Sequence, residues 1–285
     1  MTVVDTKLNV SEILQFYRKN IRLRSKDSYE EKFHNLEFFY DYQQITIETI
    51  NDYCNLRSSQ GVKNSTINRE LTVIRSAFNF YLRHKSEANF KNVFLGFKLF
   101  EHDFLPRYLN EVECRKLLFF AKKNSNPMFH DYILLLLNTG CRSGEILSLK
   151  WENVFIDDRY MIIRNSLSKN GKTVYKPLNL ECTFALARIQ ASNPNTTFVF
   201  TNPLTGLPYK SFHKSFKQLA ERIGVPDLRI HDLRHTFASF LVQKGVPIYQ
   251  VSTLLGHSDT RITQRYAHIA PGYLHDSLKH LPSFS

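Results

Sequence analysis

The residues best suited to chemistry stand at His231-Asp232-Leu233-Arg234-His235. His231 and His235 are four apart, on one face if the segment is helical, and zinc sites use that spacing. The general-base Glu of an HExxH site is missing, however, and the third position after His231 is an arginine, which would repel a bound dication. The other chemistry is phosphate chemistry: a guanidinium fork holds two non-bridging oxygens while a neighbouring imidazole exchanges a proton. Three more segments have similar potential. In Thr139-Gly140-Cys141-Arg142-Ser143-Gly144-Glu145, Arg142 follows a helix break, and Glu145 can fix its guanidinium through an i, i+3 pair. That pair serves either a cleft or a plain surface salt bridge. Lys169-Asn170-Gly171-Lys172 is a lysine-bearing hairpin turn, which taken alone reads as a solvated turn. Leu254-Leu255-Gly256-His257 ends nine residues before Tyr266, one of fourteen tyrosines.

The elements that must position these groups are mostly helical. From about Ser11 to Arg83 the apolar residues recur at spacings of three and four. After Ser65, a candidate N-cap, Ile67, Leu71, Ile74, Phe78 and Leu82 form one stripe of an amphipathic helix, with Arg69, Arg75 and Arg83 on its other side. Shorter helices are predicted around Ile13/Phe16/Tyr17, Phe33/Leu36/Tyr40 and Ile47/Ile50/Cys54. The basic stretch Arg18, Lys19, Arg22, Arg24 and Lys26 reads residue by residue as a solvated face, and as a group as a set of phosphate contacts. Between about Lys85 and Pro106 the periodicity fades, although five phenylalanines keep the stretch apolar; a linker that packs on a neighbour is expected. Asn110 with Glu113 predicts a capping box for a helix through Ala121. Tyr132–Leu137 reads as a buried helix interior ended by Thr139-Gly140, and a short helix is predicted over 142–150. The period then changes to that of strands near 154–156, 160–163 and 174–178, before helices resume at about 181–192, 211–223, 232–244, 248–255 and 259–268.

Thirty-eight Lys and Arg against 26 Asp and Glu leave a net charge of +12 in 285 residues, which favours a polyanionic partner through release of its condensed counterions. Charge alone does not separate DNA, RNA and anionic membrane. Cys54, Cys114, Cys141 and Cys182 are scattered without a CxxC pair, so reduced thiols in a cytosolic protein are expected. The opening residues lack the pattern of a signal peptide, and the longest apolar run, Tyr132–Leu137, is too short to span a bilayer.

Read in order, an arginine, a hairpin lysine, HxLRH, LLGH and a tyrosine nine residues on resemble the tyrosine recombinases, the phage-integrase and Xer-type family. The resemblance covers nearly the whole chain, with the catalytic motifs at about 139–268. It implies a mainly α fold with a small three-stranded antiparallel sheet. Residues 1–90 are then a helical, SAM-like core-binding domain for DNA, 91–106 a linker and 107–285 the catalytic domain with a C-terminal tail. It also implies one active site containing Arg142, Lys169, His231, Arg234, His257 and Tyr266, with Lys172 the alternative to Lys169.

The activity implied is site-specific cleavage and rejoining of DNA strands through a 3′-phosphotyrosine and a Holliday junction. No metal, ATP or other cofactor is expected. Implied partners are double-stranded DNA with inverted-repeat core sites, further copies in a tetrameric synapse and accessory directionality proteins, at a cytoplasmic, nucleoid-associated location away from any membrane. In that chemistry Arg142, Arg234 and His257 stabilise the charged phosphorane-like state, His231 accepts the proton of Tyr266, and Lys169 protonates the leaving 5′-oxygen. His235 is left as a structural residue or one that supports the site residues from behind. The alternatives are a type IB topoisomerase-like enzyme, a non-catalytic DNA-binding protein on the same fold, and a zinc hydrolase.

Overall fold

The structure, a computed structural model, describes residues 10–21, 26–42, 45–85, 92–99, 107–164, 173–257, 263, 264 and 266, the side chains of 26–29 excepted. The chain divides into two compact units, Met1–Phe104 and Leu105–Ser285.

The N-terminal unit contains α1 (Val10–Asn20), α2 (Lys26–Leu36), α3 (Ile47–Ser59) and α4 (Asn64–His84). Ile67, Leu71, Ile74 and Phe78 of the predicted stripe are all essentially inaccessible to solvent. The helix starts before the Ser65 cap that the sequence predicts: Lys63 is already extended, and its carbonyl accepts from the N–H groups of Thr66 and Ile67 with no side-chain cap. Arg75, expected on a cationic face, is committed inward instead. Its Nε and Nη2 donate to the carbonyls of Phe94 and Phe97 at 2.7 and 2.5 Å, satisfying main chain that no regular element pairs. Phe94 is fully buried in this unit's core, so residues 92–99 pack rather than dangle. Arg22 and Arg24 of the basic stretch lie outside the described residues, and Arg18 pairs with Glu30.

The C-terminal unit begins with α5 (Glu111–Ala121), closed by the predicted Asn110–Glu113 capping box. Asn126 caps α6 (Pro127–Thr139), which ends on Gly140 in the left-handed region. The following helix, α7 (Ser143–Leu147), is shorter than the sequence predicts. Leu149 and Trp151 pair with Val199 and Thr197 through main-chain hydrogen bonds, and this extended pairing pulls Leu149 and Lys150 out of the expected helix.

Strands β1 (Val154–Phe155), β2 (Tyr160–Arg164) and β3 (Thr173–Pro177) form an antiparallel sheet in the order β1-β2-β3, with Ile162 opposite Tyr175. Then come α8 (Leu180–Ser192), α9 (His213–Arg222), α10 (Ile230–Gln243) and α11 (Ile248–Leu255). The expected hairpin turn at Asn170-Gly171 and most of the helix expected over 259–268 lie outside the described residues; Gln264 and Tyr266 have 3-10 geometry. The mainly α fold with its small antiparallel sheet is therefore as the sequence predicts. Among the described residues, no helix is long and apolar enough to cross a membrane.

Candidate active site

Helix α10 presents the HxLRH residues, and its first turn is fixed by a buried carboxylate. Asp232 accepts the backbone N–H of Arg229 at 2.8 Å and two guanidinium donors of Arg229 at 3.2 and 2.7 Å, so the turn carrying His231 is held by charge-assisted bonds. One turn on, the Thr236 hydroxyl donates to Asp232 O and accepts from the N–H of Leu109, which ties α10 to the start of the unit.

Arg234 is 3% exposed and spans two helix ends. Its Nη1 donates to Gly140 O at 2.7 Å and its Nη2 to Leu255 O at 2.8 Å. Both carbonyls belong to helix C-termini, where backbone acceptors lack intrahelical partners and the helix dipole favours a cation. Burial, with repulsion from Arg142, brings the Arg234 pKa down to about 10, which still leaves it protonated near neutrality.

Arg142 follows the Gly140 break at the entrance to α7. Its Nη1 donates to Glu145 Oε1 at 2.7 Å and its backbone N–H to Glu145 Oε2 at 2.8 Å, the i, i+3 pair that the spacing predicts. Its side chain stays 46% exposed. His231 is exposed at the start of α10. Partial burial of its ring and the neighbouring Arg234 and Arg142 lower its pKa below the ordinary 6.5, against the opposing pull of Asp232. His257 follows the left-handed Gly256 that ends α11, and its Nδ1 is 2.7 Å from the Thr263 hydroxyl.

Tyr266 is 2% exposed, packed with Ala238, Val242, Val251 and Leu255. Its hydroxyl lies 2.5 Å from Nδ1 of His235, which is itself buried, and the His235 ring meets that of His231 edge-on at 4.9 Å. The phenol thus meets the second histidine of the motif, the residue to which the sequence assigns a structural or supporting part. Arg142, His231 and Arg234 share one cationic region, and Tyr266 is near enough to act on the charge of Arg234. His257 is two residues beyond the Leu255 carbonyl that Arg234 grips. Lys169 and Lys172 lie outside the described residues.

Sequence reasoning missed Lys176 on β3, which is 2% exposed. Its Nζ donates to Thr139 O at 3.3 Å and to Leu254 O. The signal was available, since strand alternation places Lys176 on the face of Val174 and Leu178, where an apolar residue belongs.

Residues 107–272 match the model of the phage integrase family. The match spans more than half of the chain, and the chain belongs to that family. It is 33% identical over 241 residues to the integrase of Escherichia phage P2, covering 82% of this chain and 64% of that protein. It is 24% identical to the tyrosine recombinase XerA of Pyrococcus horikoshii, covering 94% of this chain and 93% of that protein. The chain spans less than two thirds of several relatives, including 52% of the XerA of Saccharolobus solfataricus. Among solved structures, the Tn1549 transposon integrase in complex with transposon right end DNA superposes with a TM-score of 0.79 at 19% identity, over 97% of this chain and 100% of that one. At that identity the likeness establishes the fold.

Proposed function

We propose that the chain is a site-specific DNA recombinase of the integrase type, which cleaves and rejoins DNA through a covalent 3′-phosphotyrosine at Tyr266. The observation that carries this reading is Arg234: a buried guanidinium held by two helix ends, beside Arg142 and within electrostatic reach of a tyrosine. Such fixed positive potential stabilises the extra negative charge of a pentacoordinate phosphorus without reorganising during the reaction. Family membership and a net charge of +12 support DNA as the substrate.

In the proposed reaction Tyr266 leaves its bond with His235, and its oxygen attacks phosphorus as the bond to the 5′-oxygen breaks. His231, held neutral by its lowered pKa, takes the phenolic proton, and Lys169 supplies one to the departing 5′-oxygen. Arg142, Arg234 and His257 bind the phosphate oxygens. The new ester conserves the energy of the old one, so rejoining needs neither ATP nor metal.

Strand exchange proceeds through a Holliday junction in a tetrameric synapse on inverted-repeat core sites, with accessory proteins setting direction. The Met1–Phe104 unit is the core-binding arm and the Leu105–Ser285 unit the catalytic one. The working location is cytoplasmic, on the nucleoid. The test is a nicked suicide duplex carrying the element's own end sequence: the wild type traps a protein–DNA adduct, and Tyr266→Phe binds the duplex without forming one. An adduct persisting in that variant would move the nucleophile to Tyr249 or Tyr273. Relaxation of a plasmid that lacks any such site would favour a topoisomerase instead.

A further inference from the structure

Helices α6 and α11 end side by side on left-handed glycines, Gly140 and Gly256, and each leaves its last carbonyls without an intrahelical partner. Two buried cations fill that junction in the same way, one residue apart. Arg234 joins Gly140 O to Leu255 O, and Lys176 joins Thr139 O to Leu254 O. Thr139 lies three residues before Arg142, and Leu254 lies three residues before His257. The Lys176 bridge therefore sets the spacing between the two segments that carry those groups, and it fixes β3 to both.

We propose that Lys176 is a positioning residue of the recombination site, a cationic tie that holds the ends of α6 and α11 so that Arg142, Arg234 and His257 face one phosphate. Lys176 itself is buried and turned to main-chain carbonyls, so it acts through the groups it places rather than on the substrate. A lysine in so dry a position is costly unless paired. Burial lowers its pKa, with Arg234 and Arg142 pushing the same way and Cys141 and Glu145 opposing. A methionine would fill the same strand position without that cost, and the two helix-end carbonyls account for the cation.

The inference rests on the recombinase reading, and its test separates the two. Single-turnover cleavage of the nicked duplex is compared for the wild type, Lys176→Met, Arg234→Lys and the double variant, beside duplex affinity by gel shift. Lys176→Met should slow cleavage by about 10²-fold, the penalty of an ångström-scale misplacement, at unchanged affinity. The double variant should be little slower than Arg234→Lys alone, because both changes release the same junction. Cleavage at the wild-type rate, or losses that multiply fully, would overturn the tie. So would recovery of Lys176→Met on a duplex with sulfur in place of the leaving 5′-oxygen, since that recovery marks a leaving-group acid.

Should Lys176→Met fail to fold, amine labelling of the DNA-free wild type with acetic anhydride decides the matter by peptide mass spectrometry. Lys176 should stay unlabelled while the half-exposed Lys150 reacts, and equal labelling of the two would overturn the tie. A wild type that forms no adduct at all would sink the recombinase reading and leave the junction to be judged by labelling alone.

Discussion

The hydroxyl of Tyr266 lies 2.5 Å from Nδ1 of His235, with both side chains almost wholly buried. In the proposed reaction that phenol must give up the imidazole before it can meet a phosphate. Replacing the imidazole in His235→Phe removes this bond while keeping a ring of similar bulk. Losing one buried hydrogen bond costs about 0.5–1.5 kcal/mol, so the melting temperature should fall. Nitration of Tyr266 by tetranitromethane, read by peptide mass spectrometry, should rise in the same variant. A variant with the wild-type melting temperature and wild-type nitration would show that the contact does not hold the nucleophile.

Arg142 and Arg234 have the same role in the proposed reaction but differ in what they hold up. Arg234→Ala removes the cation proposed to stabilise the transition state and also orphans two buried carbonyls, Gly140 O and Leu255 O. Arg142→Ala removes a half-exposed side chain, and its largely buried partner Glu145 keeps the backbone N–H of residue 142 as a donor. Both should lower single-turnover cleavage by about 10²–10³-fold, the usual loss on removing one donor from an anion-stabilising site. Arg234→Ala should melt the earlier of the two, because it strands two buried carbonyls while Glu145 in Arg142→Ala keeps its main-chain donor. Equal melting temperatures in the two variants would contradict the buried bridge.

Much of this site could be read from residue type and spacing. The Arg142–Glu145 pair follows from i, i+3 geometry, and Gly140 announces the end of α6 because only a residue free at positive φ closes a helix that way. The Asn110–Glu113 box and the α4 stripe were legible for the same local reasons. What escaped was set by tertiary contact. Alternation marks Lys176 as inward-facing, but the two helix ends that it serves come from distant segments that no local pattern names. The partner of Tyr266 depends on how the chain after α11 folds back, which no local pattern specifies. Helix α7 stops short of the predicted Lys150 because the segment near Thr197 competes for the main chain that would continue it, and Arg75 turns inward to main-chain carbonyls of a non-repetitive stretch.

Glycines at positive φ give a graded series. At Gly224, with φ of +80°, an added Cβ meets nothing within 4 Å, so Gly224→Ala carries only the conformational cost of about 1–2 kcal/mol. At Gly140, with φ of +59°, the same atom would lie 2.4 Å from Cδ1 of Phe237 and 3.0 Å from Cδ2 of Leu255. Gly140→Ala should therefore lose clearly more stability in urea denaturation than Gly224→Ala. It should also slow cleavage beyond its loss of folded protein, because Arg142 lies two residues on and Gly140 O anchors Arg234. Gly224→Ala should cleave normally. Similar denaturation midpoints for the two variants would mean that the junction yields easily to the extra methyl.

The acid limb of the cleavage reaction should belong to His231. Its surroundings, Arg234, Arg142 and Arg229 against the single carboxylate Asp232, add to partial burial in pushing its pKa below 6.5. The imidazole is then neutral at pH 7 and can accept the proton of Tyr266. Protonation in acid removes the proposed base, so cleavage of a suicide substrate should fall as pH drops, with its midpoint below 6.5. The same shift acts on stability. The unfolded histidine, with a pKa of about 6.5, binds a proton more readily than the folded one, so stability present above that value is lost as pH falls through the folded pKa. His231→Gln should remove both dependences together and cleave slowly at every pH. A midpoint above 6.5 in the wild type, or an acid limb surviving unchanged in His231→Gln, would assign the proton to another group, and His235, in contact with the phenol, would be the first to test.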